Sequence, residues 1–155
     1  YRDHAKCWRF AIGKSSALIH LNRFSEAKRV LGGIIRKFAK NPRALSYAHD
    51  NSGWLLNRLR TGGDDSSFEE ELECYRTAIT HEPRFVAFFN LIQCLLDLDR
   101  AADAEQEFVN CLSKFPQTVD AFRQQLTIQG PEFAREIAKS RLISALLFQP
   151  DGGDS

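Results

Sequence analysis

The side chains best suited to metal or nucleophilic chemistry are four Cys and four His, and their spacing argues against it. Cys7, Cys74, Cys94 and Cys111 include no pair with the short gap of a zinc knuckle. His4 and Cys7 make one His-x-x-Cys, with no second ligand pair near it. The thiols therefore read as small buried hydrophobes on helix faces, in a reducing, cytoplasmic compartment. No metal and no other cofactor is expected. His49 and His81 lie on a helix and near a loop without an evident partner, short of the second group that acid–base catalysis needs. The carboxylates Glu69, Glu70, Glu71 and Glu73 could be imagined holding a cation or passing a proton. On a helix they spread around more than half the circumference, so after Ser66-Ser67 they read as a helix-dipole complement and a solvated face. No phosphate loop, Gly-x-Ser-x-Gly or His-Glu-x-x-His occurs, and the chain reads as no enzyme.

The densest basic run is Arg36-Lys37-Phe38-Ala39-Lys40 with Arg43. Phe38 points inward on the helical wheel, leaving Arg36, Lys37 and Lys40 as an outer face. Cations near a helix C-terminus contribute about 0.3–1 kcal/mol through the dipole. The chain carries 21 Lys+Arg against 20 Asp+Glu, too even for general nucleic-acid or anionic-membrane binding. No stretch approaches the apolar length of a transmembrane helix.

These side chains must be positioned by helices. Phe24, Ala27, Leu31, Ile34, Ile35 and Phe38 trace one helical face, closed by Pro42. The pattern returns at Phe68, Leu72, Tyr75, Ala78 and Ile79 before Pro83, and at Ala104, Phe108, Cys111 and Leu112 before Pro116. Further helical runs occupy 8–21, 44–59 and 86–98. Strand-like alternation is missing, so the fold class is all-α. With 155 residues, 43% of them apolar, the chain can bury one core but not two full ones. It holds no Met, initiator included, which reads as an excised domain or processed product.

An internal repeat is visible directly. His20-Leu21-Asn22-Arg23-Phe24-Ser25-Glu26-Ala27 aligns with Asp97-Leu98-Asp99-Arg100-Ala101-Ala102-Asp103-Ala104. Each is a helix end, a polar turn and a helix start in which an acid precedes Ala. Prolines at 42, 83 and 116 punctuate units in the period range of helix-pair solenoids. One helix pair cannot bury its apolar face alone, whereas stacked pairs share a continuous core.

On these residues the chain resembles the tetratricopeptide repeat family. The best match runs from Phe85 to Pro116, with Phe88, Leu91 and Leu95 on the first helix, Ala104 at the small crossing position, then Phe108 and Cys111. The preceding unit keeps Gly53, Leu56, Phe68, Tyr75, Ala78 and Pro83, but Glu71 replaces the small crossing residue and a loop is inserted at 61–67. The first keeps Ser15, Leu18, Phe24, Ala27 and Leu31, with Gly32-Gly33 inside its second helix, each costing about 1 kcal/mol against Ala. The resemblance implies a right-handed α-solenoid of stacked antiparallel helix pairs forming a single domain over 1–148. Its units are about 8–42, 43–83 and 85–116, with a capping pair at 118–148. In that pair the last helix runs from Pro131 to about Phe148, with Phe133, Ile137, Ala138, Leu142, Ala145 and Leu146 inward. Residues 149–155 read as a disordered tail.

In that family the first helices of successive repeats line a concave face that binds extended peptides or helices. The resemblance therefore implies a groove of Ile12, Ser16 and His20, then Asp50, Trp54 and Asn57, then Phe89, Gln93 and Asp97. The function implied is a protein–protein interaction scaffold with a peptide or helix as partner. Trp54 and Phe89 serve in that groove or fill the core, and exposed together they would also suit a homodimer. The family's Lys/Asn clamp for C-terminal carboxylates is not matched, since Ile12 and Ser16 stand where it needs Lys and Asn.

Asn51-Ser52-Gly53-Trp54, Glu70 to Glu73, Pro83 and Phe89 also resemble the helix-pair repeat of protein prenyltransferase α subunits. That would imply a helper of a catalytic partner chain. Glu82-Pro83-Arg84-Phe85 and Cys94-Leu95-Leu96 are similar to bacterial secretion chaperones built on the tetratricopeptide repeat, which would imply capture of an exported segment.

Overall fold

A computed structural model describes residues 4–63 and 68–149, with the side chains of residues 4–6 left aside. Among the described residues the chain is all helix, without strands. The elements are α1 (His4–His20), α2 (Phe24–Lys37), α3 (Pro42–Thr61), α4 (Phe68–His81), α5 (Phe85–Asp97), α6 (Ala101–Lys114), α7 (Thr118–Gln129), α8 (Pro131–Ala138) and α9 (Arg141–Phe148). No described helix is long and apolar enough to cross a membrane. The expected disordered tail falls at 150–155, outside the described residues, apart from Gln149.

The ends of these helices follow from local chemistry. Asn41 caps α3 by accepting the Ala44 N–H at 3.1 Å, and Pro42 takes the first turn, where its missing N–H costs nothing. The two turns aligned in the sequence are the same motif in three dimensions. Asn22 and Asp99 both adopt left-handed backbone, φ 60° and 58°. In each turn the next residue's N–H reaches back five positions, Arg23 to Leu18 and Arg100 to Leu95. The left-handed residue itself reaches back three, to Ile19 and Leu96. This is a Schellman closure with Asn or Asp where glycine is commoner. Each Arg then pairs with the acid three residues on, Arg23 with Glu26 and Arg100 with Asp103.

Two compact units are present, Tyr1–Asn90 and Leu91–Ser155, with α5 passing from one to the other. In the first, α1 packs on α2, α2 on α3, α1 on α3 and α3 on α4. Its core gathers Trp8, Leu18, Ile19, Ala27, Leu31, Ile34, Ala44, Ala48 and Leu55. Contacts along α1 and α3 keep step, Trp8 against Tyr47, Ser16 against Asn51, His20 against Trp54, so these helices lie side by side and parallel. α3 and α4 approach closely at Gly53, where a Cβ would sit 2.5 Å from the Tyr75 ring.

In the second unit α7, α8 and α9 pack on one another and α6 on α7 and α9. Phe122 meets Phe108 edge-on at 5.0 Å and lies 6.3 Å from Phe133. Gly130, at φ 73° and ψ −149°, takes a conformation essentially reserved for glycine and turns the chain from α7 into α8.

Several expectations are corrected. The helix after Pro131 does not run unbroken to Phe148. It stops at Ala138, and Ser140 starts α9 by accepting the Ile143 N–H at 3.0 Å. The break shifts the inward face, so Ile143 and Leu147 are buried while Ala138, Leu142 and Ala145 are exposed. Cys7 is exposed rather than a buried thiol; Cys94 and Cys111 are buried as expected. Phe68 is 38% exposed beneath the Arg60 guanidinium, 4.4 Å from its ring centroid, rather than core.

Candidate functional site

The polar residues of the first unit are held by one another. Asn51 on α3 donates from Nδ2 to Ser15 Oγ and Ser16 Oγ on α1, both at 3.0 Å. His20 is exposed and stands edge-on to half-buried Trp54, ring centroids 4.8 Å apart. Ile12 and Trp54 pack on the core cluster. Ser16, His20 and Trp54 therefore meet along one α1–α3 seam, together with Asn51.

Asp50 and Asn57 leave that seam. Asp50 is buried and accepts from Asn90 Nδ2 at 2.9 Å, with the Arg84 guanidinium at 3.8 Å. Burial raises the Asp50 pKa, and the Asn90 hydrogen bond and Arg84 charge only partly oppose it. Arg84 lies flat over Tyr47 at 3.4 Å. Asn57 donates from Nδ2 to Glu71 Oε1 at 3.0 Å on α4. Phe89 is only 8% exposed, 6.2 Å from Phe85, which leaves it little surface for a ligand.

The Glu69–Glu73 run is not a uniform solvated face. Glu71 is 1% exposed and accepts from Arg60 Nε and Asn57 Nδ2 at 3.0 Å and from the Tyr75 hydroxyl at 3.3 Å. It faces Asn57 and Arg60 of α3, and this geometry overrides its place in an acidic run. Glu69, Glu70 and Glu73 remain exposed beside Cys74. Burial, then Glu70, Glu71 and Glu73, pushes the Cys74 thiol up to about 11, so it is a poor nucleophile. His49 and His81 do have partners, namely each other, stacked at 5.5 Å. Burial, then the neighbouring His81, lowers the His49 pKa.

In the second unit Gln93 and Asp97, one turn apart on α5, line an open cleft of about 540 Å3 with Gln129, Glu132, Arg135 and Glu136. Gln93 donates from Nε2 to Gln129 Oε1 at 3.1 Å. Lys139 closes one side, donating to the Leu96 carbonyl at 3.0 Å and pairing with Asp99 at 3.0 Å and Glu136 at 3.1 Å. The hydrogen bond to Asp99 is the main cause of its raised pKa. Phe133 lies beneath this surface, almost fully buried. Such a surface can hydrogen-bond a backbone and pair with charges of either sign.

Among the described residues no group of His, Cys, Asp and Glu converges for a metal ion. His4 of the His-x-x-Cys lies outside the side chains described. Sequence reasoning missed Arg60 and Arg84, whose roles rest on partners far along the chain. It did not place Lys14, Arg29 and Lys37 together, although 29 and 37 are two helical turns apart. No protein family, curated protein or solved structure matches the chain significantly.

Proposed function

We propose that the chain is a tetratricopeptide-like α-solenoid acting as a non-catalytic protein-interaction module that binds a peptide or helix of a partner. The observation that carries this reading is the cleft holding Gln93 and Asp97, two residues that the repeat register assigns to the binding face. Its lining of amides, carboxylates and one arginine suits an extended peptide. Such a ligand needs backbone hydrogen bonds and a few side-chain contacts more than a deep apolar pocket. The parallel α1–α3 seam with its Ser–Asn hydrogen bonds is the packing that first helices of successive repeats adopt, and it supports the solenoid reading.

The test is peptide selection against the whole chain, followed by affinity measurement on Gln93→Ala/Asp97→Arg. A loss of about tenfold or more with an unchanged circular-dichroism melt supports the reading. Affinity unchanged for every selected peptide removes this cleft from the binding face.

A further inference from the structure

A second cleft, of about 600 Å3, lies between α1 and α2 and shares no residue with the cleft just described. Three helical rows build it. Cys7, Ala11 and Lys14 follow one another on α1, Val30, Ile34 and Phe38 along α2 and its end, and Arg29, Gly33 and Lys37 beside them. The accessible floor is apolar, from half-buried Ala11, Val30 and Phe38, and among the described residues every charged one that lines it is basic. Most basic side chains facing acids elsewhere are paired, as in Arg23–Glu26, Arg60–Glu71, Arg100–Asp103 and Lys139–Asp99. Among the described residues, Lys14, Arg29 and Lys37 make no ion pair.

Gly33 is the second, independent observation. It lies inside α2, where glycine weakens a helix relative to alanine. A Cβ built on it would meet nothing within 4 Å, so close packing does not require the glycine. Its missing side chain keeps the cleft deep at the centre of the three cations.

We propose that this cleft binds a short amphipathic segment of a protein partner. The segment's apolar side chains seat on Val30, Gly33 and Phe38, and flanking Asp or Glu residues pair with Lys14, Arg29 and Lys37. A partner with acids around its apolar contacts matches an apolar floor inside a basic rim. A neutral or basic segment would leave those cations facing nothing or repelled. The inference does not depend on the peptide cleft of Gln93 and Asp97.

The test is a phage-displayed random peptide library panned in parallel on the native chain and on Gly33→Leu. Leucine fills the cleft and improves helix propensity, so the variant should melt no lower than the native chain. The proposal expects clones that bind the native chain and lose about tenfold or more on Gly33→Leu, with apolar residues flanked by Asp or Glu. The same peptides should weaken about tenfold on Lys14→Glu/Arg29→Glu/Lys37→Glu, and with added salt. These positions are exposed, so if Gly33→Leu melts low, the charge-reversed chain decides alone. The proposal is overturned if no clone distinguishes the variants, if the distinguishing clones are neutral or basic, or if charge reversal leaves their affinity unchanged. It is equally overturned if dodecanoate saturates the cleft and no peptide does, which would make it an acyl-chain site.

Discussion

Asp50 and Glu71 are carboxylates buried in the same unit, 4% and 1% exposed, yet their surroundings differ sharply. Glu71 meets donors from Arg60, Asn57 and Tyr75, all on α3 and α4. Asp50 has the Asn90 amide and an arginine at 3.8 Å whose plane is committed to Tyr47. Burial of a carboxylate is costly in proportion to the hydration it gives up, and only nearby donors restore it. Glu71 is therefore a structural clasp between two helices. At Asp50 desolvation outweighs the partners, and the carboxyl is held above its ordinary range. How many donors reach the charge, more than how deeply it is buried, separates the two.

The largest effect should come from breaking the clasp. Glu71→Ala removes the buried acceptor shared by Arg60, Asn57 and Tyr75. Urea unfolding should show a loss of about 3–5 kcal/mol. Adding Arg60→Ala should cost far less than in the native background, giving a coupling of about 0.5–3 kcal/mol in the double-mutant cycle. If Glu71→Ala costs under about 1 kcal/mol, the pair behaves as a surface bridge and the contrast with Asp50 fails.

Gly53→Ala sharpens the same comparison from the backbone side. The added methyl would lie 2.5 Å from the Tyr75 ring, so α3 and α4 must part or Tyr75 must swing away from Glu71. Alanine's gain in helix propensity, about 1 kcal/mol, opposes this. Overpacking costs about 1–3 kcal/mol, so a net loss in the thermal melt is expected. A higher melting temperature would mean the clasp tolerates a wider spacing.

How far such features are legible in the sequence depends on the range of the interaction. α7, Thr118–Gln129, opens the stretch expected as a capping pair, because its apolar spacing and flanking Gly130-Pro131 are local signals. The aligned turns at Asn22 and Asp99 are equally local, and they share backbone geometry and ion pair. Gln93 and Asp97 share a cleft because four residues on a helix return to the same face. The break at Ser140 was not legible. Apolar spacing continues through it, while the Ser140 hydroxyl that starts α9 also donates to Glu105, 35 residues away, at 2.8 Å. Glu71 is hidden for the same reason, since its acidic neighbours are adjacent and Arg60 is 11 residues away on α3. Gly33 could be read only as a weak helix position, because its role lies in an atom that is absent.

Asp50→Asn should have the smallest effect and the most informative sign. The amide oxygen can still accept from Asn90 Nδ2, while the charge that burial penalises is gone. Because the folded pKa lies above the ordinary value of 3.8, the native state binds a proton that the unfolded chain releases over that interval. Asp50's contribution to stability is therefore fully present below the ordinary value and is lost as pH rises through the folded one. At neutral pH Asp50→Asn should leave stability within about 1 kcal/mol of native, on the stabilising side. The advantage should shrink as the medium is acidified towards the ordinary Asp value. His49, with its lowered pKa, acts in the opposite direction and loses stability as pH falls, but both proteins carry it and it cancels in their difference. Paired urea titrations at neutral and mildly acid pH read that difference directly. A variant clearly less stable at neutral pH would show that Arg84 outweighs burial, making Asp50 a second clasp like Glu71.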